Sequence, residues 1–174
     1  DIYISLINEQ FRGKEKLIEP NIKALEIGYS YAEENFKDFC DIKVNKSNKT
    51  EGLILTSGND AAGLGCVYGG ATFCAWYPIT PSTSLAESYS DYSEKLRIEI
   101  GTDKNKFAFI QAEDELAAIG MTIGANWNGA RGFTATSGPG ISLMSEFIGL
   151  AYFAEVPSVI FDVQRGGPST GMPT

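Results

Sequence analysis

The sequence predicts an α/β fold in which helices cover both faces of a parallel β-sheet. After residue 52, short apolar runs alternate with longer stretches whose apolar residues recur at helical spacing. Strands that are apolar on both faces and separated by helices are typical of buried parallel sheets. The predicted strands are 53–56, 72–76, 107–110, 132–136 and 158–163, and the predicted helices are about 60–70, 82–97, 114–128 and 140–153.

The first 51 residues differ in composition from the rest. They contain only Gly13 and Gly28 of the 19 glycines. Apolar residues at helical spacing predict a helix over 20–36, with Pro20 in its first turn. We therefore expect a helical region at 1–42, a polar linker at 43–51 and one α/β domain at 52–174. Because the chain lacks an initiator Met, we expect it to be a piece of a longer protein.

Charge and hydropathy narrow the choice of partner. The 174 residues include 22 acidic and 14 basic side chains, and the net charge is −8. An acidic surface repels phosphate backbones and anionic lipids, so we expect no nucleic-acid partner and no membrane partner. No apolar run approaches the ~18 residues that span a bilayer, and no signal peptide is visible. We expect a cytoplasmic protein.

The absence of histidine limits the chemistry of this chain. Ser-His-Asp and Cys-His catalysis are excluded within it, as are zinc sites built on His. Cys40, Cys66 and Cys74 form no C-x-x-C pair, so we expect free thiols in a reducing compartment rather than a zinc or iron–sulfur site. Any reaction must use carboxylates, hydroxyls, backbone amides, Arg or Lys, or a cofactor.

Ligands of parallel sheets bind beyond the carboxyl ends of the strands, so the loops after the strands are the candidate site. After the first predicted strand, 57–63 is read as a helix cap at Asn59 or Asp60 rather than as a phosphate loop, because Gly-Lys-Ser/Thr is missing. After the second, Thr80 lies between two prolines. A rigid connection and a hydroxyl held toward a ligand explain that loop equally well.

Three further loops contain residues that are candidates for binding a ligand or moving a proton. Acids at 113–115 begin a helix rich in small residues, where a poorly solvated carboxylate is a candidate proton handler. Thr136-Ser-Gly-Pro-Gly140 can form a backbone-amide cradle for an anion or a cofactor. Arg165 follows the last strand and can bind a carboxylate with two hydrogen bonds. Together the loops predict a site for an anionic small molecule and a cofactor, without specifying the reaction.

Four motifs in these loops resemble one known family. They are Tyr77-Pro-Ile-Thr-Pro-Ser-Thr83, Glu113-Asp-Glu-Leu-Ala-Ala-Ile-Gly120, Thr134-Ala-Thr-Ser-Gly-Pro-Gly140 and the segment 162–174. In this order and spacing they resemble the alpha subunit of the 2-oxoacid:ferredoxin oxidoreductases, in its thiamine-pyrimidine-binding domain. The helical region 1–42 resembles the end of the gamma domain that some members fuse in front of alpha. The resemblance implies a gamma–alpha piece that lacks the end of the pyrimidine domain.

The resemblance assigns roles to single residues. Glu115 falls on the carboxylate that hydrogen-bonds the aminopyrimidine ring of thiamine diphosphate, and so helps the cofactor to lose its thiazolium proton. Thr80 and Arg165 fall on residues that contact the substrate. The cofactor would also be lined by a short segment that includes Ser137, Gly138 and Gly140. Trp76, Ser84 and Asp60 depart from the usual pattern of the family, and the first two flank the Thr80 loop.

The resemblance also implies partners. Diphosphate, Mg²⁺ and at least one [4Fe–4S] cluster would be bound by a beta subunit, and coenzyme A and ferredoxin would be further reactants. The reaction would be the oxidative decarboxylation of a 2-oxo acid to acyl-CoA in a hetero-oligomer, in which alpha can also self-associate. The alternatives are a non-catalytic regulatory or scaffold subunit, the pyrimidine half of another thiamine enzyme, and a nucleotide-binding module. The last lacks Gly-x-Gly-x-x-Gly after the first strand.

Overall fold

The computed structural model describes residues 2–37, 42, 44–45, 47–102, 104–167 and 172–173. Cys40 and the stretch 168–171 of the last motif lie outside these residues. The chain divides into two compact units, residues 1–53 and residues 54–174.

The first unit consists of two helices, α1 (Ile2–Gln10) and α2 (Glu15–Asn35). Gly13 in the turn between them has a φ of 83°, which glycine adopts without steric cost. The predicted helix is present but begins earlier, so the placement of Pro20 in a first turn is wrong. Pro20 is the sixth residue of α2 and lacks the N–H that would bond the carbonyl of Lys16. Neither helix buries a residue.

The second unit is an α/β domain whose described strands form one parallel sheet in the order β2-β1-β3-β4. Its elements along the chain are α3 (Gly58–Tyr68), β1 (Phe73–Trp76), α4 (Thr83–Leu96), β2 (Ala108–Gln111), α5 (Glu115–Trp127), β3 (Gly132–Thr136), α6 (Gly138–Phe153) and β4 (Val159–Asp162). Four of the five predicted strands and all four predicted helices of this region are confirmed, with ends shifted by one or two residues.

The predicted strand at 53–56 is wrong. These residues are irregular, and Leu53, Ile54 and Leu55 are 70%, 85% and 103% exposed. A strand forms only where its N–H and C=O groups find a neighbouring strand. The edge strands β2 and β4 each have a free side, but this segment pairs with neither of them. Three consecutive apolar residues are therefore an insufficient signal for a strand.

Helices pack on both faces of the sheet, as predicted. One core contains Val67, Leu85 and Tyr89 together with Phe133 of β3, and Phe161 of β4 packs against it. A second core contains Ile119, Ile123 and Met144, and Ile160 packs against it. Because successive strand residues point to opposite faces, Ile160 and Phe161 place these cores on opposite sides of the sheet.

Helices α3 and α4 approach each other closely on the first face. A Cβ added to Gly63 would lie 2.8 Å from the backbone nitrogen of Tyr89 and 2.9 Å from Cβ of Ser88. Tyr89 is fully buried, and its hydroxyl donates a hydrogen bond to the Ala71 carbonyl over 3.1 Å. Any side chain larger than glycine at position 63 would force the two helices apart.

Candidate active site

All four described strands of the sheet end at the same edge, at Trp76, Gln111, Thr136 and Asp162. Two backbone hydrogen bonds extend the strand pairing into the loops: Ala112 N–H donates to Trp76 O over 2.8 Å, and Val163 N–H donates to Thr136 O over 2.9 Å. The loops with the predicted site residues therefore leave the sheet side by side. This edge is the candidate active site.

Glu115 is the first residue of α5 and is only 7% exposed. The preceding Asp114 caps the helix, because its Oδ1 accepts a hydrogen bond from Ala117 N–H over 2.6 Å. The acids at 113–115 thus have different roles. Asp114 satisfies the helix terminus, whereas Glu115 is free of that task and lies buried at the sheet edge.

The start of α6 packs directly against Glu115. Ser137 is the N-cap of α6, Pro139 lies in its first turn, and Gly140 is buried. A Cβ added to Gly140 would overlap Oγ1 of Thr136 and lie 2.9 Å from Cγ of Glu115. Only glycine fits between this carboxylate and the end of β3. The structure thus brings the predicted Glu115 and Gly140 together, and Ser137 and Gly138 are in the adjoining turn.

Thr80 and Arg165 form a second pair at the same edge. Arg165 Nη1 donates a hydrogen bond to the carbonyl oxygen of Thr80 over 2.9 Å. Both side chains are exposed, and the Thr80 hydroxyl and the other guanidinium N–H groups make no hydrogen bond with the described residues. The peptide bond between Thr80 and Pro81 is cis. Polar donors of both residues are therefore open to a ligand.

Asn59 contacts the loop that contains Thr80 instead of capping α3, so the predicted cap at this residue is wrong. The N-cap of α3 is Ser57, which forms a reciprocal capping box with Asp60, so Asn59 has no capping role. Its Nδ2 instead donates to the Pro81 carbonyl over 2.9 Å and to Ser84 Oγ over 2.8 Å. The sequence gives one indication that Asn59 is not the cap: Ser57 and Asp60 have the spacing of a capping box and complete the cap without it.

Hydrogen bonds and burial shift the pKa values of several ionisable groups in this unit. The Ser88 hydroxyl, followed by the Ser57 hydroxyl and N–H, lowers the pKa of Asp60. Burial raises the pKa of the Cys66 thiol to about 11 and that of Cys74 further, and it raises the pKa of Tyr89 to about 12. Both described thiols are free, and at neutral pH they are protonated and poor nucleophiles.

Other surfaces of the unit lie away from this edge. A groove of about 790 Å³ runs beside the end of α6 and the start of β4, and its lining includes Ile119, Ile148 and Ile160 but none of the predicted site residues. Among the described residues, no three His, Cys, Asp or Glu side chains are grouped so that they could hold a metal ion. No described helix is long and apolar enough to cross a membrane.

Several known proteins are similar to this chain in sequence. Residues 64–174 match the family described as pyruvate flavodoxin/ferredoxin oxidoreductase, thiamine diphosphate-binding. The 2-oxoacid:ferredoxin oxidoreductase 2 alpha subunit of Aeropyrum pernix is 41% identical over 97% of this chain and 27% of its own length. The 2-oxoglutarate synthase subunit KorA of Methanothermobacter marburgensis is 52% identical over 67% of this chain and 29% of its own length.

A solved structure of an enzyme with a related name is also similar to this chain. The 2-oxoglutarate:ferredoxin oxidoreductase of Magnetococcus marinus, with 2-oxoglutarate, coenzyme A and succinyl-CoA bound, superimposes with a TM-score of 0.71 at 37% identity. The match covers 98% of this chain and 28% of that one. The chain belongs to the pyruvate flavodoxin/ferredoxin oxidoreductase family, in its thiamine diphosphate-binding domain. The resemblance seen in the sequence is confirmed, and this chain spans 27–29% of the length of these relatives.

Proposed function

We propose that this chain supplies the pyrimidine-binding half of the active site of a 2-oxoacid:ferredoxin oxidoreductase. The enzyme decarboxylates a 2-oxo acid oxidatively, forms acyl-CoA with coenzyme A, and passes two electrons to ferredoxin. The observation that carries the proposal is the buried Glu115 at the sheet edge, packed against Gly140.

The residues at this edge fit thiamine diphosphate. A buried carboxylate without a capping role can accept a hydrogen bond from a heterocycle, and Gly140 lets the start of α6 pack closely beside it. Glu115, Ser137, Gly138 and Gly140 would hold the aminopyrimidine end. When bound, the cofactor supplies the acidic carbon and the electron sink that 2-oxo acid decarboxylation requires. The role of Glu115 is to hold a proton at the ring nitrogen, and its burial keeps water from competing for that hydrogen bond.

Arg165 and Thr80 would bind the substrate. One guanidinium N–H is used by the Thr80 carbonyl, and the other N–H groups can pair with the carboxylate of the oxo acid. The Thr80 hydroxyl is open on the same loop and can donate to the oxo acid. The substrate would then lie between a cation that neutralises its charge and a hydroxyl that orients it.

The remaining components would come from other chains. We place the diphosphate and its Mg²⁺ on a partner beta subunit because the family resemblance implies it. The [4Fe–4S] cluster is placed there too, since this chain has only three cysteines and no C-x-x-C pair. Ferredoxin and coenzyme A would bind the assembled hetero-oligomer, in which alpha subunits can associate with each other. A cytoplasmic location without nucleic-acid or membrane partners agrees with the net charge of −8.

The test is an assay of the full-length alpha subunit assembled with its beta partner. Reduction of a viologen dye is followed with 2-oxoglutarate, pyruvate, branched-chain and aryl oxo acids, with and without coenzyme A. We expect reduction that requires one of these oxo acids, coenzyme A and thiamine diphosphate. Absence of oxo-acid-dependent reduction in a fully loaded assembly would instead support a regulatory or scaffold subunit.

A further inference from the structure

We propose that Asn59 is a positioning residue for the substrate site, because it fixes the backbone of the loop 77–82 and thereby the direction of the Thr80 hydroxyl. The inference rests on the proposed substrate-binding role of Thr80. Asn59 itself touches neither substrate nor cofactor in this account; it acts through the loop.

Three successive carbonyl groups of the loop are held by three different parts of the fold. The Ile79 carbonyl accepts the N–H groups of Ser82 and Thr83 over 2.8 and 3.2 Å. The Thr80 carbonyl accepts Arg165 Nη1 over 2.9 Å. The Pro81 carbonyl accepts Asn59 Nδ2 over 2.9 Å. The loop therefore cannot shift toward or away from the sheet edge without breaking one of these bonds.

Asn59 is itself held on a rigid base. Its helix α3 begins with the capping box of Ser57 and Asp60. Asp60 Oδ1 accepts a hydrogen bond from the Ser88 hydroxyl of α4 over 2.6 Å, which fixes the start of α3 relative to α4. Asn59 then bonds Pro81 just before α4 and Ser84 in its first turn. One amide group thus joins the helix start, the loop and the next helix.

The hydroxyl and the backbone carbonyl of Thr80 differ in their hydrogen bonding. The backbone carbonyl is bonded, as are those of both neighbouring residues, whereas the hydroxyl is exposed and makes no hydrogen bond with the described residues. A loop that served only to connect β1 with α4 would not need to hold three carbonyls around one open hydroxyl. If the loop is already ordered before the substrate binds, binding does not include the entropic cost of ordering it. Loss of Asn59 should therefore weaken substrate binding more than it slows turnover.

The test is a double-mutant cycle in the assembled full-length enzyme. Asn59→Ala and Thr80→Ala are each expected to raise the KM for the oxo acid about tenfold, with kcat reduced less than about threefold. If Asn59 acts through Thr80, the double variant should lie within about twofold of Thr80→Ala alone. KM effects that multiply to about a hundredfold would overturn the inference, and so would an unchanged KM in Asn59→Ala.

Two further variants and one exchange measurement separate positioning from general stability and from failure of the proposed function. Asn128→Ala removes an equivalent side-chain to backbone bond at the opposite end of the unit, to the Gly124 carbonyl over 2.9 Å, and should leave KM unchanged. Ser84→Ala removes only one partner of Asn59 and should raise KM about twofold, which covers the case in which Asn59→Ala does not fold. Hydrogen–deuterium exchange of the peptide 77–86 should be faster in Asn59→Ala than in wild type or Asn128→Ala. Unchanged exchange would overturn the inference even if the protein has no oxo-acid activity.

Discussion

Arg165 and Thr80, 85 residues apart in the chain, are joined by a 2.9 Å hydrogen bond from a guanidinium Nη1 to a backbone carbonyl oxygen. The bond connects the loop after β4 with the loop after β1, and these strands are separated in the sheet by β3. Arg165 is therefore held in place by a backbone group and not by an acidic side chain. Its positive charge is left without a neutralising partner among the described residues.

Replacing Arg165 should weaken binding of the 2-oxo acid. A hydrogen bond to a charged group contributes about 1.5–3 kcal/mol, so Arg165→Ala is expected to raise the KM by about 10- to 150-fold in the dye-reduction assay of the assembled enzyme. Arg165→Lys keeps the positive charge but not the planar guanidinium group, so its KM should lie between those of wild type and Arg165→Ala. A KM that stays unaltered for every oxo acid tested would remove Arg165 from the substrate site.

Adding one methyl group at Gly140 should disturb the packing around Glu115. Gly140→Ala forces Thr136 or Glu115 to move, which is expected to destabilise the domain by about 1–3 kcal/mol and to lower kcat. The matched control is Gly149→Ala in the same helix, where a Cβ meets nothing within 4 Å. That change should stabilise α6 by up to about 1 kcal/mol and leave kcat intact. Equal thermal and kinetic behaviour of the two variants would refute the close packing inferred at Gly140.

Ionisation of Asp60 should make the folding stability of this unit depend on pH in the acidic range. Its pKa is lowered in the folded state, first by the Ser88 hydroxyl and then by Ser57, so the carboxylate favours folding when ionised. This contribution is present at neutral pH and is lost as the pH falls below about 4 and through the folded-state pKa. The melting temperature of Ser88→Ala should therefore fall less steeply than that of wild type between about pH 5 and pH 3. Parallel curves would contradict the assigned cause.

The sheet was largely predictable because its signals are local. The run 132–136 lies between glycine-flanked helical stretches, and it is fully buried as β3. The run 53–56 has three apolar residues in four and is nevertheless not a strand, because it pairs with none of the described strands. That information is not local. Single-sequence patterns therefore identify candidate strands without deciding which of them pair.

The sheet edge at which the candidate residues lie was predictable, whereas the contacts between them were not. The rule that ligands bind beyond the carboxyl ends of parallel strands directed attention to Thr80, Glu115 and Arg165. It could not predict that Arg165 bonds the Thr80 carbonyl or that Asn59 reaches Pro81. Both contacts depend on how far apart the elements lie, and for Asn59 that distance is set by the close approach of α3 and α4 at Gly63.

Glu115→Gln in the assembled full-length enzyme tests whether this sheet edge binds thiamine diphosphate. Glutamine has nearly the same shape but cannot share a proton with the cofactor ring as a carboxylate does, so oxo-acid- and CoA-dependent viologen reduction should fall by about 100-fold or more. Glu146→Gln, at an exposed position of α6, serves as the matched control and should retain wild-type activity. Activity of Glu115→Gln equal to that of the control would contradict the assignment of this sheet edge as the thiamine site.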